Sequence, residues 1–232
     1  MNNSLWVYLA TSPLIWLTGT LAVWLAARSL AALRPGNPLL NPIMISIAVI
    51  TTVLYQSGIA YKTYFAGAQF IHFLLGPATV ALGIPLYEKL PLVRRNLIPM
   101  LAALIVGCLT AVGSTVFLAH LFGFTPSIVA SLAPKSTTAA VAMAISESLH
   151  GDPALTAAVV ILTGICGAII VTPMMNAMRI KDYSARGFAV GLTSHGIGTA
   201  RAYSVDQVAG LFSGIAMGLN AILTSLIVHL FF

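Results

Sequence analysis

Long runs of apolar residues, bounded by short polar or charged stretches, fill most of the chain. A membrane-spanning helix needs about 20 predominantly apolar residues, because the hydrocarbon layer is about 30 Å thick. The 232 residues therefore leave room for about seven or eight spanning or half-spanning elements and for no soluble domain. The pattern predicts an all-α polytopic membrane protein with a single domain over residues 1–232. The predicted regular spans are 13–33, 39–57, 94–121, 153–178 and 205–231.

Three further apolar stretches are interrupted by proline or glycine. Proline removes a helix hydrogen bond and disfavours helix in the residue before it, and glycine permits sharp turns. Unpaired backbone groups cost several kcal/mol in hydrocarbon, so a break persists only inside protein or beside a water-filled cavity. One such break is often an ordinary kink, but three together predict broken or re-entrant helices around a site. The breaks are Gly76-Pro77 in residues 61–90, Pro134 in residues 124–149 and "SHGIG" in residues 184–203.

The charges near the ends of the apolar runs suggest an orientation. Basic residues mark the loops at 89–95 and 179–186 as cytoplasmic, whereas the loops near 121–125 and 150–153 lack Lys and Arg and are expected outside. Residues 124–149 then begin and end outside, which predicts a re-entrant hairpin with Lys135 near its tip.

A weak internal repeat accompanies this arrangement. "LLGPATVALGIPLYEKL" resembles "LAPKSTTAAVAMAISESL", and each is followed by an apolar span that contains a cysteine. Residues 61–90 are either the inverted counterpart of 124–149, entering from the cytoplasm, or a full crossing. The possible repeats are about 39–121 and 124–231. Inverted repeats with broken helices near the midplane are typical of transporters.

Composition and charge support a membrane location and argue against other classes. Hydrophobic residues make up 59% of the chain and charged residues only 7%, against about 25% charged residues in soluble domains. The excess of 11 Lys+Arg over 5 Asp+Glu flanks apolar segments, so it indicates membrane orientation and no nucleic-acid partner. Both cysteines lie inside apolar runs without C-x-x-C spacing, so no metal site or cofactor is expected.

Lys135 is the strongest candidate for chemistry. A lysine inside a membrane segment is rare and usually faces a cavity or a partner; the alternative is that it snorkels to the headgroups. It lies roughly ten residues from the predicted loop on either side, which disfavours snorkelling. Pro134 ends one half-helix, and Ser136, Thr137 or Thr138 can cap the next, whose free N–H groups attract an anion. The pattern favours a carboxylate site, although capping alone also explains one such hydroxyl.

The second candidate cluster lies in "GLTSHGIGTAR". His195 can donate to an anion, relay a proton or satisfy the backbone at the break, and Arg201 is either a second positive charge or a residue that flanks a loop. Asn220, deep in the last span, can bond a neighbouring helix or the substrate. No G-x-S-x-G or H-E-x-x-H pattern occurs, so no catalytic residues and no enzymatic activity are expected. The predicted substrate-binding residues are Pro77, Thr79, Lys135, Ser136, Thr137, Thr138, Ser194, His195, Gly196, Thr199, Arg201 and Asn220.

Five motifs in the order "GPATVALGIPLY", "LAPKSTTAAVAM", "LTGICGAIIVTP", "ARGFAVGLTSHGIGTARA" and "FSGIAMGLN" resemble the LrgB/CidB family of membrane proteins over about residues 10–232. Residues 137–140 depart from the family pattern, because a proline is expected near the start of that half-helix. The resemblance implies a multi-pass protein of the bacterial cytoplasmic (inner) membrane.

The resemblance also implies two functions. Bacterial members modulate murein hydrolase activity and autolysis with a holin-like partner of the LrgA/CidA type, which here must be a separate chain. Plant members move glycolate and glycerate, and some bacterial pairs are linked to pyruvate uptake. The first hypothesis is therefore a carrier for small monocarboxylates, and the alternative is a non-transporting autolysis modulator. A channel is a third possibility, but no span shows a continuous polar stripe; a homo-oligomer is compatible with each.

Overall fold

The computed structural model describes residues 12–33, 40, 42–74, 77 and 83–232. All regular structure in these residues is helical. The chain divides into two compact units, Met1–Ile84 and Pro85–Phe232.

The described residues of the first unit form three helices, α1 (Pro13–Ala32), α2 (Pro42–Ser57) and α3 (Tyr61–Phe73). Helix α1 packs against α3 through an edge-to-face contact between Trp16 and Tyr64, with ring centroids 5.7 Å apart. A Cβ on Gly67 would collide with the carbonyl of Pro13, so the glycine allows the two backbones to touch. The short helix α4 (Gly83–Glu88) lies across the division between the units.

The second unit holds the helices that carry most of the predicted site. Two of them are each 25 residues long, and the last helix has the same length when it is counted with its 3₁₀ extension. All three are apolar enough to cross a membrane. With α1, they make four candidate spans in the described part of the chain. The helices are α5 (Leu90–Arg95), α6 (Leu97–Leu121), α7 (Pro126–Leu132), α8 (Ala139–Ser148), α9 (Pro153–Ala177), α10 (Tyr183–Val205) and α11 (Gln207–Ile227), followed by a 3₁₀ turn (Val228–Phe231).

Aspartate residues cap three of these helices. The carboxylates of Asp152, Asp182 and Asp206 each accept hydrogen bonds from the second and third residues of α9, α10 and α11. These bonds satisfy N–H groups that have no partner inside the helix. Because each carboxylate is engaged in a cap, these acidic residues serve the helix ends.

Helix α6 buries one face along its whole length. Met100, Leu104, Cys108, Val112 and Val116 are buried and follow one another at four-residue spacing, which places them on one side of the helix. The first part of this face packs against α10 and α11, and the last part against α7, α8 and the 3₁₀ turn. One helix therefore supports both interrupted segments of the second unit.

The chain reverses direction between α7 and α8. Thr156 Oγ1, at the start of α9, lies within hydrogen-bonding distance of the carbonyl oxygen of Ser131, at 2.9 Å, and of Ser146 Oγ, at 2.7 Å. In a straight helix residues 131 and 146 would lie about 22 Å apart. Residues 126–148 are therefore a helical hairpin, called here the first hairpin, with the first break (residues 133–138) at its tip.

Helix α10 also folds back on itself. A Cβ on Gly198 would lie 2.7 Å from Val190 Cγ1 and 3.2 Å from the Val190 carbonyl oxygen; in a straight helix residues 190 and 198 would lie about 12 Å apart. His195 has non-helical dihedral angles, φ 41° and ψ −133°. Tyr183–Val205 is therefore the second hairpin, and the second break is at His195.

The open ends of the hairpins lie at opposite ends of α9. The chain leaves the first hairpin into the start of α9, and it enters the second hairpin from the end of the same helix. Since α9 has 25 residues, its ends are about 36 Å apart. The two breaks therefore approach the interior of the unit from opposite sides.

The helices agree with the sequence pattern where the apolar runs are long. Helices α1, α2, α6, α9 and α11 occupy the five predicted regular spans, and both described breaks fall in predicted interrupted segments. Helices α3 and α4 lie in residues 61–90, but residues 75–76 and 78–82 are outside the described residues. The total of seven to eight membrane elements, the inverted repeats and the single domain stay predictions.

Candidate functional site

The two breaks meet at one buried side chain, Asn220 of α11. Its Nδ2 donates to the carbonyl oxygen of Ser136 in the first break and to that of Leu192 just before the second, both at 3.1 Å. Because both oxygens contact the same nitrogen, they lie no more than about 6 Å apart by simple geometry. Asn220 is 1% exposed, so the contact between the breaks is buried.

A short polar chain supports this asparagine. Thr224 Oγ1 donates to Asn220 Oδ1 at 3.4 Å and lies 3.2 Å from Cys108 Sγ of α6. All three side chains are buried. Buried polar groups need hydrogen-bond partners to offset their desolvation. Here these partners come from two helices and from the two breaks.

The first break contains a half-buried lysine. The backbone N–H of Lys135 donates to the Leu132 carbonyl oxygen at 3.1 Å, while its side chain makes no hydrogen bond or ion pair with any described residue. The lysine ammonium is thus held at the hairpin tip by the backbone alone. An ammonium withdrawn from water without a partner favours an anion beside it.

The side chains of the hydroxyl residues in this break do not cap the start of α8, which differs from the sequence prediction. Thr137 Oγ1 donates to the Pro134 carbonyl oxygen at 3.0 Å, which closes a local turn. Thr138 occupies the N-cap position of α8, but its side chain makes no capping hydrogen bond. Ser136 is buried and reaches Asn220 through its backbone carbonyl. The start of α8 therefore has no side-chain cap.

The second break is stabilised by the histidine ring. His195 Nε2 lies 2.9 Å from the carbonyl oxygen of Val160 in α9. A carbonyl only accepts, so Nε2 carries the hydrogen and the neutral ring presents Nδ1 as an acceptor. A Cβ on Gly164 would lie 2.7 Å from His195 Cε1, so this glycine makes room for the ring. The positive φ of a non-glycine residue costs about 1–3 kcal/mol, and these contacts hold it in place.

The neighbouring hydroxyl residues fix the second hairpin to α9 and α11. Ser194 packs so tightly against Gly167 that a Cβ there would overlap its Oγ. Thr199 Oγ1 donates to the His195 carbonyl oxygen at 2.7 Å and lies 2.9 Å from Ser213 Oγ. Gly196 is exposed. Ser194 and Thr199 therefore secure the shape of the break.

An open groove of about 470 Å³ runs between α9 and the first arm of the second hairpin. Its walls include Cys166, Gly167, Thr193 and Ser194 and are mainly apolar. Lys135 is not among the residues that line it. The connection between the two breaks therefore runs through Asn220 and not through this groove.

The remaining predicted residues lie elsewhere. Arg201 borders a small cavity with Arg186, Tyr183 and Val205, on the part of the second hairpin away from its tip. Its Nη1 lies 3.4 Å from Ser204 Oγ, and its Nε is buried without a hydrogen-bond partner. Pro77 is exposed and belongs to the first unit, and Thr79 is outside the described residues.

A hydroxyl cluster beside the loop before α9 was missed by sequence reasoning. Ser131, Ser146 and Thr156 are all 0% exposed and are joined by the hydrogen bonds of Thr156, while Ser131 Oγ accepts from the Asp152 N–H at 2.7 Å. The sequence feature that could have identified this cluster is the presence of three hydroxyl residues in neighbouring apolar segments. They hold the first hairpin against α9.

The described residues contain no group of three or more His, Cys, Asp or Glu side chains that could hold a metal ion. The two breaks instead supply the Lys135 ammonium, backbone carbonyl and N–H groups, and the hydrogen-bonded amide of Asn220. Ammonium and free N–H donors are chemically suited to orient a small anion.

Most of the chain matches the model of a known protein family. The model of the LrgB-like family matches residues 20–232 of the chain. The chain belongs to the LrgB-like family. This membership confirms the resemblance drawn from the five motifs, and, with four candidate spans, it makes the chain a membrane protein.

Curated relatives of this LrgB-like protein cover nearly its whole length. Uncharacterized protein YwbG of Bacillus subtilis is 33% identical over 205 residues, which cover 88% of this chain and 91% of YwbG. Holin-like protein CidB of Staphylococcus epidermidis is 32% identical over 192 residues, covering 83% of this chain and 84% of CidB. The Staphylococcus aureus CidB is 31% identical over 209 residues, covering 90% and 91%. No solved structure matches the chain.

Proposed function

We propose that this protein is a carrier for small monocarboxylates of the pyruvate, glycolate or glycerate class in the bacterial cytoplasmic membrane. The observation that carries the proposal is the half-buried Lys135, whose ammonium has no partner among the described residues, in a break that adjoins a second break. Its anion site lies at this meeting point.

The charge balance at the first break supports an anionic ligand. The described residues offer no carboxylate to Lys135, and the start of α8 has no side-chain cap. A helix start carries partial positive charge on its free N–H groups. A carboxylate between the ammonium and these groups would satisfy both, and one negative charge matches one ammonium.

The arrangement of the hairpins supports a carrier over a channel. The hairpins enter from opposite ends of α9, and their breaks meet at a buried asparagine. Broken helices that meet near mid-depth are the usual plan of alternating-access transporters. A closed contact between the tips separates the two sides of the membrane, whereas a channel needs a continuous polar path.

His195 contributes mainly to the shape of this site. Its Nε2 hydrogen is directed at Val160, so a neutral ring has no further N–H for an anion. Binding by this histidine therefore requires a second proton on Nδ1. We assign the attraction of the carboxylate to Lys135 and the geometry of the second break to His195.

A second function is favoured by the names of the relatives. Two of them are called holin-like protein CidB, and these names support a modulator of murein hydrolase activity and autolysis more directly than any comparison supports transport. In that function the chain works with a separate LrgA/CidA-type membrane protein. Both functions can hold together, since movement of an acid alters the energetics of the envelope.

The test separates the two functions. The purified protein is placed in liposomes, and uptake of labelled pyruvate, glycolate and glycerate is compared with that of succinate, a dicarboxylate. The carrier predicts saturable uptake of at least one monocarboxylate without any partner protein. If uptake equals that of protein-free liposomes, while deletion of the gene changes the rate of autolysis, the modulator function is retained and the carrier is rejected.

A further inference from the structure

Asn220 uses all of its hydrogen-bonding groups to join the two hairpins. A side-chain amide has two N–H donors, and here they are directed at the carbonyl oxygens of Ser136 and Leu192. Its carbonyl oxygen accepts from Thr224. No donor is left for a substrate, so the expectation that Asn220 binds substrate directly requires that one hairpin first be released.

The two acceptors belong to segments that are far apart in the chain. Ser136 lies 84 residues before Asn220, and Leu192 lies 28 residues before it. Ser136 lies in the first break, and Leu192 lies three residues before the non-helical residue His195. Each would lose a partner in a buried place if the amide were removed, at a free-energy cost larger than the bond's usual net contribution.

We infer that Asn220 is a positioning residue that couples the tips of the two hairpins by holding both through one side chain, so that its loss releases both tips together. The inference does not depend on the transported ligand, because the coupling is between two backbone segments of this chain.

The experiment is hydrogen exchange followed by mass spectrometry on the purified full-length protein, without substrate. Asn220→Leu keeps a similar volume and removes both donors. Amide exchange is expected to become roughly tenfold to a hundredfold faster both in residues 133–141 and in residues 192–199, because each tip loses one buried hydrogen bond. Exchange around Ser131, Ser146 and Thr156 should stay as in the wild type.

A matched control lies on the same helix. Ser225 Oγ donates only to the Ala221 carbonyl of its own helix, at 2.8 Å, so Ser225→Ala should leave both tips unchanged. A rise at one tip only, no rise at either tip, or an equal rise throughout the second unit would each overturn the coupling. If Asn220→Leu does not fold, Asn220→Ala takes its place; it removes both donors without adding bulk, so the same paired rise is expected.

This outcome is independent of the carrier function. Paired exchange at the tips without any uptake would support the coupling and reject transport. Uptake without paired exchange at the tips would support transport and reject the coupling.

Discussion

Replacement of Lys135 tests whether its ammonium binds a carboxylate. The side chain is half-buried and has no partner among the described residues. A charge-assisted hydrogen bond in a partly dry site contributes about 1.5–3 kcal/mol. Since about 1.4 kcal/mol corresponds to a factor of ten in an equilibrium constant, Lys135→Gln and Lys135→Ala should weaken binding roughly tenfold to a hundredfold.

Lys135→Arg separates charge from shape. It keeps the positive charge, but the planar guanidinium spreads that charge over a wider fork than a compact ammonium. Intermediate affinity is therefore expected, between the wild type and Lys135→Gln. If the lysine instead snorkels toward the headgroups, all three variants should transport at the wild-type rate, and Lys135→Ala should be at least as stable as the wild type.

The assay is uptake of the three monocarboxylates by liposomes that contain equal amounts of each folded variant. Lys181 provides the control, because it is exposed in the loop between α9 and α10. Lys181→Gln removes the same charge without affecting the breaks and should transport normally. Wild-type affinity and rate in Lys135→Gln would refute the anion site.

Three stability predictions follow from packing and hydrogen bonds, and each is measured by thermal unfolding in detergent. Gly191→Ala should destabilise the protein by about 1–3 kcal/mol, because the added Cβ would overlap the backbone of α11. The control is Gly218→Ala, whose Cβ meets nothing within 4 Å and which should be neutral or stabilising. Equal effects of the two substitutions would contradict the packing. Thr156→Val should lower the stability of the protein by about 1–3 kcal/mol, since its buried hydrogen-bond partners are left unsatisfied. The control is Thr110→Val, because Thr110 is exposed and bonded only within its own helix, and it should leave the stability unchanged. An unchanged stability of Thr156→Val would contradict the role of the hydroxyl cluster. Asp206→Ala should cost about 0.5–2 kcal/mol through loss of the cap on α11, and an unchanged midpoint would remove the capping argument.

The long helices were predictable because their signal is local. A run of about 20 apolar residues has to satisfy its backbone hydrogen bonds internally in a bilayer, and only a helix does so within one segment. Residues 94–121 and 153–178 were expected as spans, and Leu97–Leu121 and Pro153–Ala177 are the helices. The differences are three residues at the start of α6, whose N-cap residue is Asn96, and one residue at the end of α9.

The site was only partly predictable because its contacts are long-range. Lys135 and His195 were identified from breaks in apolar runs, which is a local property. The bonds from Asn220 to Ser136 and Leu192 go to backbone carbonyls, and a carbonyl has no signature in the sequence. Arg201 was expected with the other site residues, but it borders a cavity with Arg186, because the chain folds back at His195 and carries the arginine away from the tip.

The sequence by itself determined that the chain is a helical membrane protein, where two of its helical segments are interrupted, and which family it belongs to. Each of these depends on runs of residue types and their order, which are written along one segment. Only the tertiary structure decided that Tyr183–Val205 is a hairpin, that the two breaks approach from opposite ends of α9, and that Asn220 joins them. The physical reason is that these contacts connect segments far apart in the chain, and they form only after the helices have packed.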